Sequence, residues 1–103
     1  MEFTTEQRKV LKAALDEYGI RSQSDIAIEE MAELTKAIIK CRREFIHTSI
    51  ANLLEEIADA LIMLEQLSMH YGTDFISEIV KAKIIRLNIR IEEDRAKKYG
   101  GMF

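Results

Sequence analysis

Residues 28–40 read IEEMAELTKAIIK, and residues 53–64 read LLEEIADALIML. In both stretches apolar residues recur at the three- and four-residue spacing of a helix face. Each stretch also carries an acidic residue followed three positions later by a second one, within or beside the apolar pattern. The two stretches therefore predict apolar helices that carry paired carboxylates.

Glycine and the capping residues divide the chain into four predicted helices. Proline is absent, and the four glycines stand at positions 19, 72, 100 and 101. Thr4 and Gln7 fit a capping box. The candidate caps of the later helices are Ser22 or Ser24, Thr48 or Ser49, and Thr73 or Asp74. The predicted helices cover about residues 5–18, 24–43, 49–70 and 74–97, and no strand-like alternation competes with them.

The composition is that of a soluble globular chain, and the length and helical periodicity predict a single all-α domain over residues 1–103. Hydrophobic residues make up 48% and charged residues 32%, with a net charge of −3 that argues against non-specific nucleic-acid binding. No apolar run reaches the ~20 residues that span a bilayer, and the polar start is no signal peptide. The single cysteine, Cys41, is expected to be a buried hydrophobe. We expect a cytoplasmic protein without nucleic-acid or membrane partners and a frayed GGMF tail.

The paired acids lie inside or at the border of the apolar faces. At about 100° per residue, Glu30 falls within the apolar arc of the second helix, and Glu33 lies at its edge. Glu56 falls among apolar neighbours of the third helix, and Asp59 lies in the polar strip beside it. Glu65 also falls in the apolar arc, where its position near the helix end should let it reach water. Gln66 is predicted to lie in the polar strip.

Carboxylates in such positions must be neutralised, paired with a cation or bound to a metal ion. In the fourth helix, Lys83, Arg86 and Arg90 project into the apolar arc along one stripe. One interpretation is therefore a structural network of ion pairs between these bases and the acids. The other is a metal site, for which Glu-x-x-Glu and Glu-x-x-Asp offer only oxygen ligands. That ligand set favours Mg²⁺ or Mn²⁺, because a di-iron bundle requires Glu-x-x-His.

The apolar arc of the second helix predicts self-association. A surface helix needs an apolar stripe only about 100° wide, and this arc is more than twice as wide. Four short helices cannot cover such an arc within one subunit. We therefore expect a homo-oligomer whose interface uses residues 24–43.

The spacing of the acids resembles the signature of the MazG-like all-α nucleoside triphosphate pyrophosphohydrolases. Glu30-x-x-Glu33 is followed after 22 residues by Glu56-x-x-Asp59. The surrounding sequences IEEMAELTKAIIK, NLLEEIADALIMLEQL and KIIRLNIRI are also similar to the family. The resemblance extends over roughly residues 23–91. It implies a four-helix MazG-like bundle that is completed by oligomerisation.

The resemblance also implies an activity, the Mg²⁺-dependent hydrolysis of an NTP or dNTP to the monophosphate and pyrophosphate. Glu30, Glu33, Glu56 and Asp59 would be the catalytic and metal-binding residues. Lys83, Arg86 and Arg90 would bind the substrate phosphates. The implied assembly is a homodimer or homotetramer, and the implied role is the removal of unwanted nucleotides. The alternative is a catalytically inactive helical module for oligomerisation or regulation, with a structural acid–base cluster.

Overall fold

The computed structural model describes residues 2–100, and this part of the chain is almost entirely helical. Its elements are α1 (Thr5–Arg43), α2 (His47–Tyr71) and α3 (Thr73–Gly100). No strand occurs among the described residues, so the predicted all-α class is confirmed. In the predicted GGMF tail, Gly100 ends α3, whereas residues 101–103 lie outside the described part.

The first two predicted helices are joined within α1 and are separated only by a break at Gly19. Gly19 adopts φ 84° and ψ 158°, a conformation that glycine tolerates because it has no Cβ. The helix resumes at once, so Ser22 and Ser24 lie inside it, and the prediction that one of them caps a new helix is wrong. A single residue is enough to redirect the chain here, and no connecting loop is needed.

Side chains fix the starts of the first two elements. The predicted capping box is confirmed: the Gln7 N–H donates to Thr4 Oγ1 at 3.1 Å, and the Thr4 N–H donates to Gln7 Oε1 at 2.9 Å. In contrast, α2 begins at His47, before either predicted cap. Ser49 instead reaches back to the three-residue connection, where it accepts from the Ile46 N–H at 3.2 Å and donates to the Glu44 carbonyl.

The second half of α1 and α2 form a helical hairpin. On each helix, residues that alternate by four and three positions are buried or half-buried, which is the heptad spacing of packed helices. We call these two rows the seam. In α1 the seam comprises Gln23, Ala27, Glu30, Leu34, Ala37 and Cys41. In α2 it comprises Ser49, Leu53, Glu56, Ala60, Met63 and Leu67.

The first half of α1 also packs against α2. Leu11 and Leu15 are buried, and Arg8 forms an ion pair with Glu65, with 3.2 Å between Nε and Oε1. The Glu65 side chain is only 17% exposed, so water has little access to it. Arg8, one turn into α1, pairs with it instead.

Several large apolar residues of α1 and α2 are exposed. Val10 and Tyr18 of α1 and Leu54, Ile57 and Leu64 of α2 are all exposed in the structure. A helix wheel shows that these residues share a face, but it does not show whether a neighbouring helix covers that face. The confirmed core residues include Cys41, which is buried as predicted.

The chain divides into two compact units, one ending at Tyr71 and the other beginning at Gly72. The first unit is the packing of α1 on α2 described above. The second is α3, in which none of the described residues is buried. Gly72 separates the two with φ 125°. The single domain over residues 1–103 and the four-helix bundle stay predictions.

None of the helices in the described part combines the length and the apolar character that crossing a membrane requires.

Candidate functional site

Three of the four predicted acids come together across the hairpin. Glu30 of α1 and Glu56 and Asp59 of α2 each offer a carboxylate oxygen, and these oxygens lie within 4.8 Å of one another. Glu30 and Glu56 are half-buried, whereas Asp59 is exposed. The cluster therefore has two members in the helix interface and one at its open edge.

The seam explains why these carboxylates meet. Glu30 and Glu56 occupy seam positions, where the heptad spacing would ordinarily place an apolar residue. Small residues on both helices, including Ala27 and Ala60, are buried in the same seam and allow the backbones to approach closely. Asp59 follows Glu56 by three positions and therefore lies one turn along the same side of α2.

Burial and mutual repulsion disfavour the charged forms of the two seam acids. The pKa of Glu30 is raised above its ordinary value, first by burial and then by the charges of Asp59, Glu56 and Glu33. A hydrogen bond between the Glu30 and Asp59 carboxyl groups raises it further, because that bond requires a proton on one of them. The pKa of Glu56 is raised by burial and then by Asp59, Glu33 and Glu55. The cluster is thus an excess of negative charge that favours protons or cations.

No base within the hairpin neutralises this charge. Among residues 2–71, no lysine or arginine forms an ion pair with Glu30, Glu56 or Asp59. One oxygen of Glu56, Oε2, is fully buried and has no hydrogen-bond partner in the described part of the chain. Buried polar atoms are usually paired, so this oxygen is an exception among the polar atoms of the hairpin.

The fourth predicted acid, Glu33, lies beside the cluster and is not one of its converging oxygens. Its charge reaches both seam acids, because it contributes to the raised pKa of Glu30 and of Glu56. Its carboxylate is exposed and forms an ion pair with Lys36 at 3.4 Å. Such an exposed pair contributes little stability and can be exchanged for another partner.

The three predicted phosphate-binding bases lie together on α3. Lys83, Arg86 and Arg90, with Leu87, line one shallow groove on this helix. The predicted stripe along one side is therefore present. All three side chains are exposed. The cause is that α3 has no buried face.

Sequence reasoning missed a polar contact next to the acids. The Gln23 carboxamide donates to Gln66 Oε1 at 2.7 Å, and both side chains are buried. Gln66 is therefore wrongly predicted to lie in the polar strip. The heptad spacing contained the signal for Gln23, because this residue stands seven positions before Glu30 on the same row. A helix-wheel arc drawn from apolar residues alone leaves glutamine out.

The cluster fits a hard divalent cation in its ligand chemistry. Its converging donors are all carboxylate oxygens, which Mg²⁺ and Mn²⁺ prefer, and it contains no sulfur or imidazole ligand. Its free Glu56 oxygen and uncompensated charge are the features that a bound cation would satisfy. Comparisons with protein-family models, with curated proteins and with solved structures found no match to this chain.

Proposed function

We propose that this protein is a Mg²⁺-dependent nucleotide pyrophosphohydrolase that converts an NTP or dNTP to the monophosphate and pyrophosphate. The observation that supports it most is the convergence of carboxylate oxygens of Glu30, Glu56 and Asp59 within 4.8 Å, two of these acids at seam positions. Placing acids there opposes folding, which suggests that they are kept for a ligand. The resemblance of both acidic motifs to the MazG-like enzymes supplies the reaction.

In this proposal the four acids bind the cation and activate the attacking water. Glu30, Glu56 and Asp59 would hold Mg²⁺, or Mn²⁺ in its place, and Glu33 would complete the set by releasing Lys36. A bound cation would polarise the α-phosphate and neutralise the leaving pyrophosphate. The half-buried positions of Glu30 and Glu56 would keep bulk water from their carboxylates. One of the four acids would orient or deprotonate the attacking water.

The groove on α3 would bind the substrate phosphates. Lys83, Arg86 and Arg90 line it together, and three cations on one side of a helix complement the negative charge of a triphosphate. The apolar residues that α1, α2 and α3 expose support the further proposal that the protein is a homodimer or homotetramer. We place this activity in the cytoplasm, as an enzyme that clears unwanted nucleotides.

A substrate panel tests the proposed reaction. The purified protein would be incubated with Mg²⁺ and each common NTP and dNTP, and the products identified by ³¹P NMR. We expect pyrophosphate and the nucleoside monophosphate from at least one substrate. Orthophosphate and the diphosphate as products, or no turnover of any member, would contradict the proposal.

The second candidate is an inactive helical module for oligomerisation or regulation. The specific observation that favours it is the large number of exposed apolar side chains, since monomeric proteins seldom expose so many together. In that case the acids would pair with bases in every state. Cation binding separates the two candidates, because a cluster already paired with bases would bind no Mg²⁺.

A further inference from the structure

The buried Gln23–Gln66 contact lies on the same side of the hairpin as the acids. Gln23 stands seven positions before Glu30, and Gln66 stands seven positions after Asp59. Two helices that run in opposite directions bring such positions level with each other. At 1.5 Å per residue, the glutamine contact lies about 10 Å from the acidic cluster along the helices.

Stability alone does not explain this pair. Gln23 Oε1 is buried and has no hydrogen-bond partner among the described residues, and the Gln66 amide donates only to the Met63 sulfur, at 3.7 Å. An incompletely satisfied buried carboxamide opposes folding. Replacing both partners by apolar groups of the same shape is generally neutral or stabilising, so an all-apolar seam would serve stability at least as well.

The glutamine pair can oppose the repulsion between the acids. Charged carboxylates on facing helices repel each other and push α1 and α2 apart at Glu30. On one side, the hairpin is closed by the connection at residues 44–46, which begins fourteen positions beyond Glu30. On the other side, the first polar contact between the two helices is Gln23–Gln66, at half that separation.

We propose that Gln23 and Gln66 are positioning residues that hold Glu30 against Glu56 and Asp59 before a cation binds. A buried polar contact between two packed helices specifies one alignment of them, which apolar residues alone fix less strictly. The pair acts through the acids and touches neither cation nor substrate. This inference rests on the proposed function, because it assigns the cation to the same site.

The test uses the double variant Gln23→Met/Gln66→Met in the full chain, with Gln23→Leu/Gln66→Leu as a second version. Methionine keeps the length and unbranched shape of glutamine. We expect urea midpoints equal to or above that of the wild type. We also expect about tenfold weaker Mn²⁺ binding by calorimetry, the lower end of the effect of losing a residue that orients metal ligands. Amide hydrogen exchange at residues 56–60 should be faster without metal.

Asn52→Leu is the matched control. Asn52 is exposed and lies seven positions before Asp59, the same separation as Gln66 on the other side. This variant should leave Mn²⁺ affinity and exchange unchanged. The inference is overturned if the double methionine variant keeps Mn²⁺ affinity and amide exchange at wild-type values. It is equally overturned if Mn²⁺ affinity falls only as far as the urea midpoint falls. Failure of both double variants to fold also overturns it, since the pair would then have a structural role.

The failure of the proposed function can be recognised separately. If the wild-type protein binds no Mn²⁺, the proposed function fails, and amide exchange at residues 56–60 alone decides whether the glutamines hold the helices together. Faster local exchange at unchanged global stability would support the positioning role, and unchanged exchange would overturn it.

Discussion

Glu56 combines at a single residue the features that make the seam a candidate site. It occupies a heptad position that packing would give to an apolar side chain, and one of its oxygens is buried without a hydrogen-bond partner among residues 2–100. Its pKa is raised by burial and by Asp59, Glu33 and Glu55. Without a cation, the charged form of this residue should therefore destabilise the folded protein.

The sign of this effect predicts how stability depends on pH. The folded protein binds the Glu56 proton more tightly than the unfolded chain does. The stability that this tighter proton binding contributes is therefore fully present below the pKa of Glu56 in the unfolded chain, about 4.5. It is lost as pH rises through the raised pKa of Glu56 in the folded protein. In metal-free buffer, Glu56→Gln should be more stable than the wild type at pH 7.5, and the difference should shrink at pH 4. Urea unfolding at both values checks this.

Glu55→Gln is the control for that experiment, because it removes an adjacent, exposed carboxylate. It should change stability much less than Glu56→Gln at pH 7.5. A Glu56→Gln protein that is less stable than the wild type at neutral pH would contradict the account. Glu56 would then be the partner of a stabilising ion pair.

The residues show which parts of the site the sequence can predict. Glu30 and Glu56 were identified because an acid inside an apolar arc is visible in the periodicity, and Asp59 because it follows Glu56 by three positions. Glu65 has the same pattern, but its Arg8 partner lies more than fifty positions away in the sequence, and no spacing rule connects them. The hydrogen bond between Gln23 and Gln66 was missed for the same reason, since it depends on the alignment of two helices, although the heptad spacing places Gln23 itself on the buried row.

At the scale of elements, local signals predicted where a helix ends better than whether a loop and a new cap follow it. Thr4 with Gln7 and the Tyr71–Gly72 end of α2 were predicted correctly, because each depends on a few neighbouring residues. The break at Gly19 was also located correctly. The start of the next helix was predicted wrongly, because the helix resumes directly after Gly19 without a new cap.

The α3 helix has a prediction of its own, which concerns Lys83. A lysine that contacts the phosphates of the substrate stabilises charge that develops during the reaction. We expect Lys83→Ala to lower kcat/KM by roughly 10² to 10³, the size typical of losing one such contact. Mn²⁺ affinity without nucleotide should change little, because the proposed cation ligands all lie in the hairpin.

Lys81→Ala provides the comparison on the same helix. Lys81 is exposed and pairs with Glu78 at 3.0 Å, outside the groove of Lys83. Its removal should leave kcat/KM close to the wild-type value. If Lys83→Ala also has wild-type kcat/KM, Lys83 is not part of the site. If Lys83→Ala does not fold, the lysine has the structural ion-pair role.

At the scale of the whole molecule, the exposed apolar side chains predict association between copies of the chain. Ile28, Ile38 and Ile39 are exposed on α1, within the wide arc from which self-association was predicted. Leu54 and Leu64 extend the exposed apolar surface onto α2. We expect a dimer or tetramer of the 11.9 kDa chain at micromolar concentration. Sedimentation equilibrium measures this directly, and a stable, active monomer would contradict the prediction.

The central claim is that the hairpin acids form a cation site that serves catalysis. Its most direct test is calorimetric titration with Mn²⁺ of the wild type, Glu56→Gln and Glu55→Gln, each paired with a turnover assay in Mg²⁺. We predict that the wild type and Glu55→Gln bind Mn²⁺ and release pyrophosphate from a nucleotide. Glu56→Gln should fold but do neither. Absence of Mn²⁺ binding by the wild type, or undiminished binding and turnover by Glu56→Gln, would contradict the account.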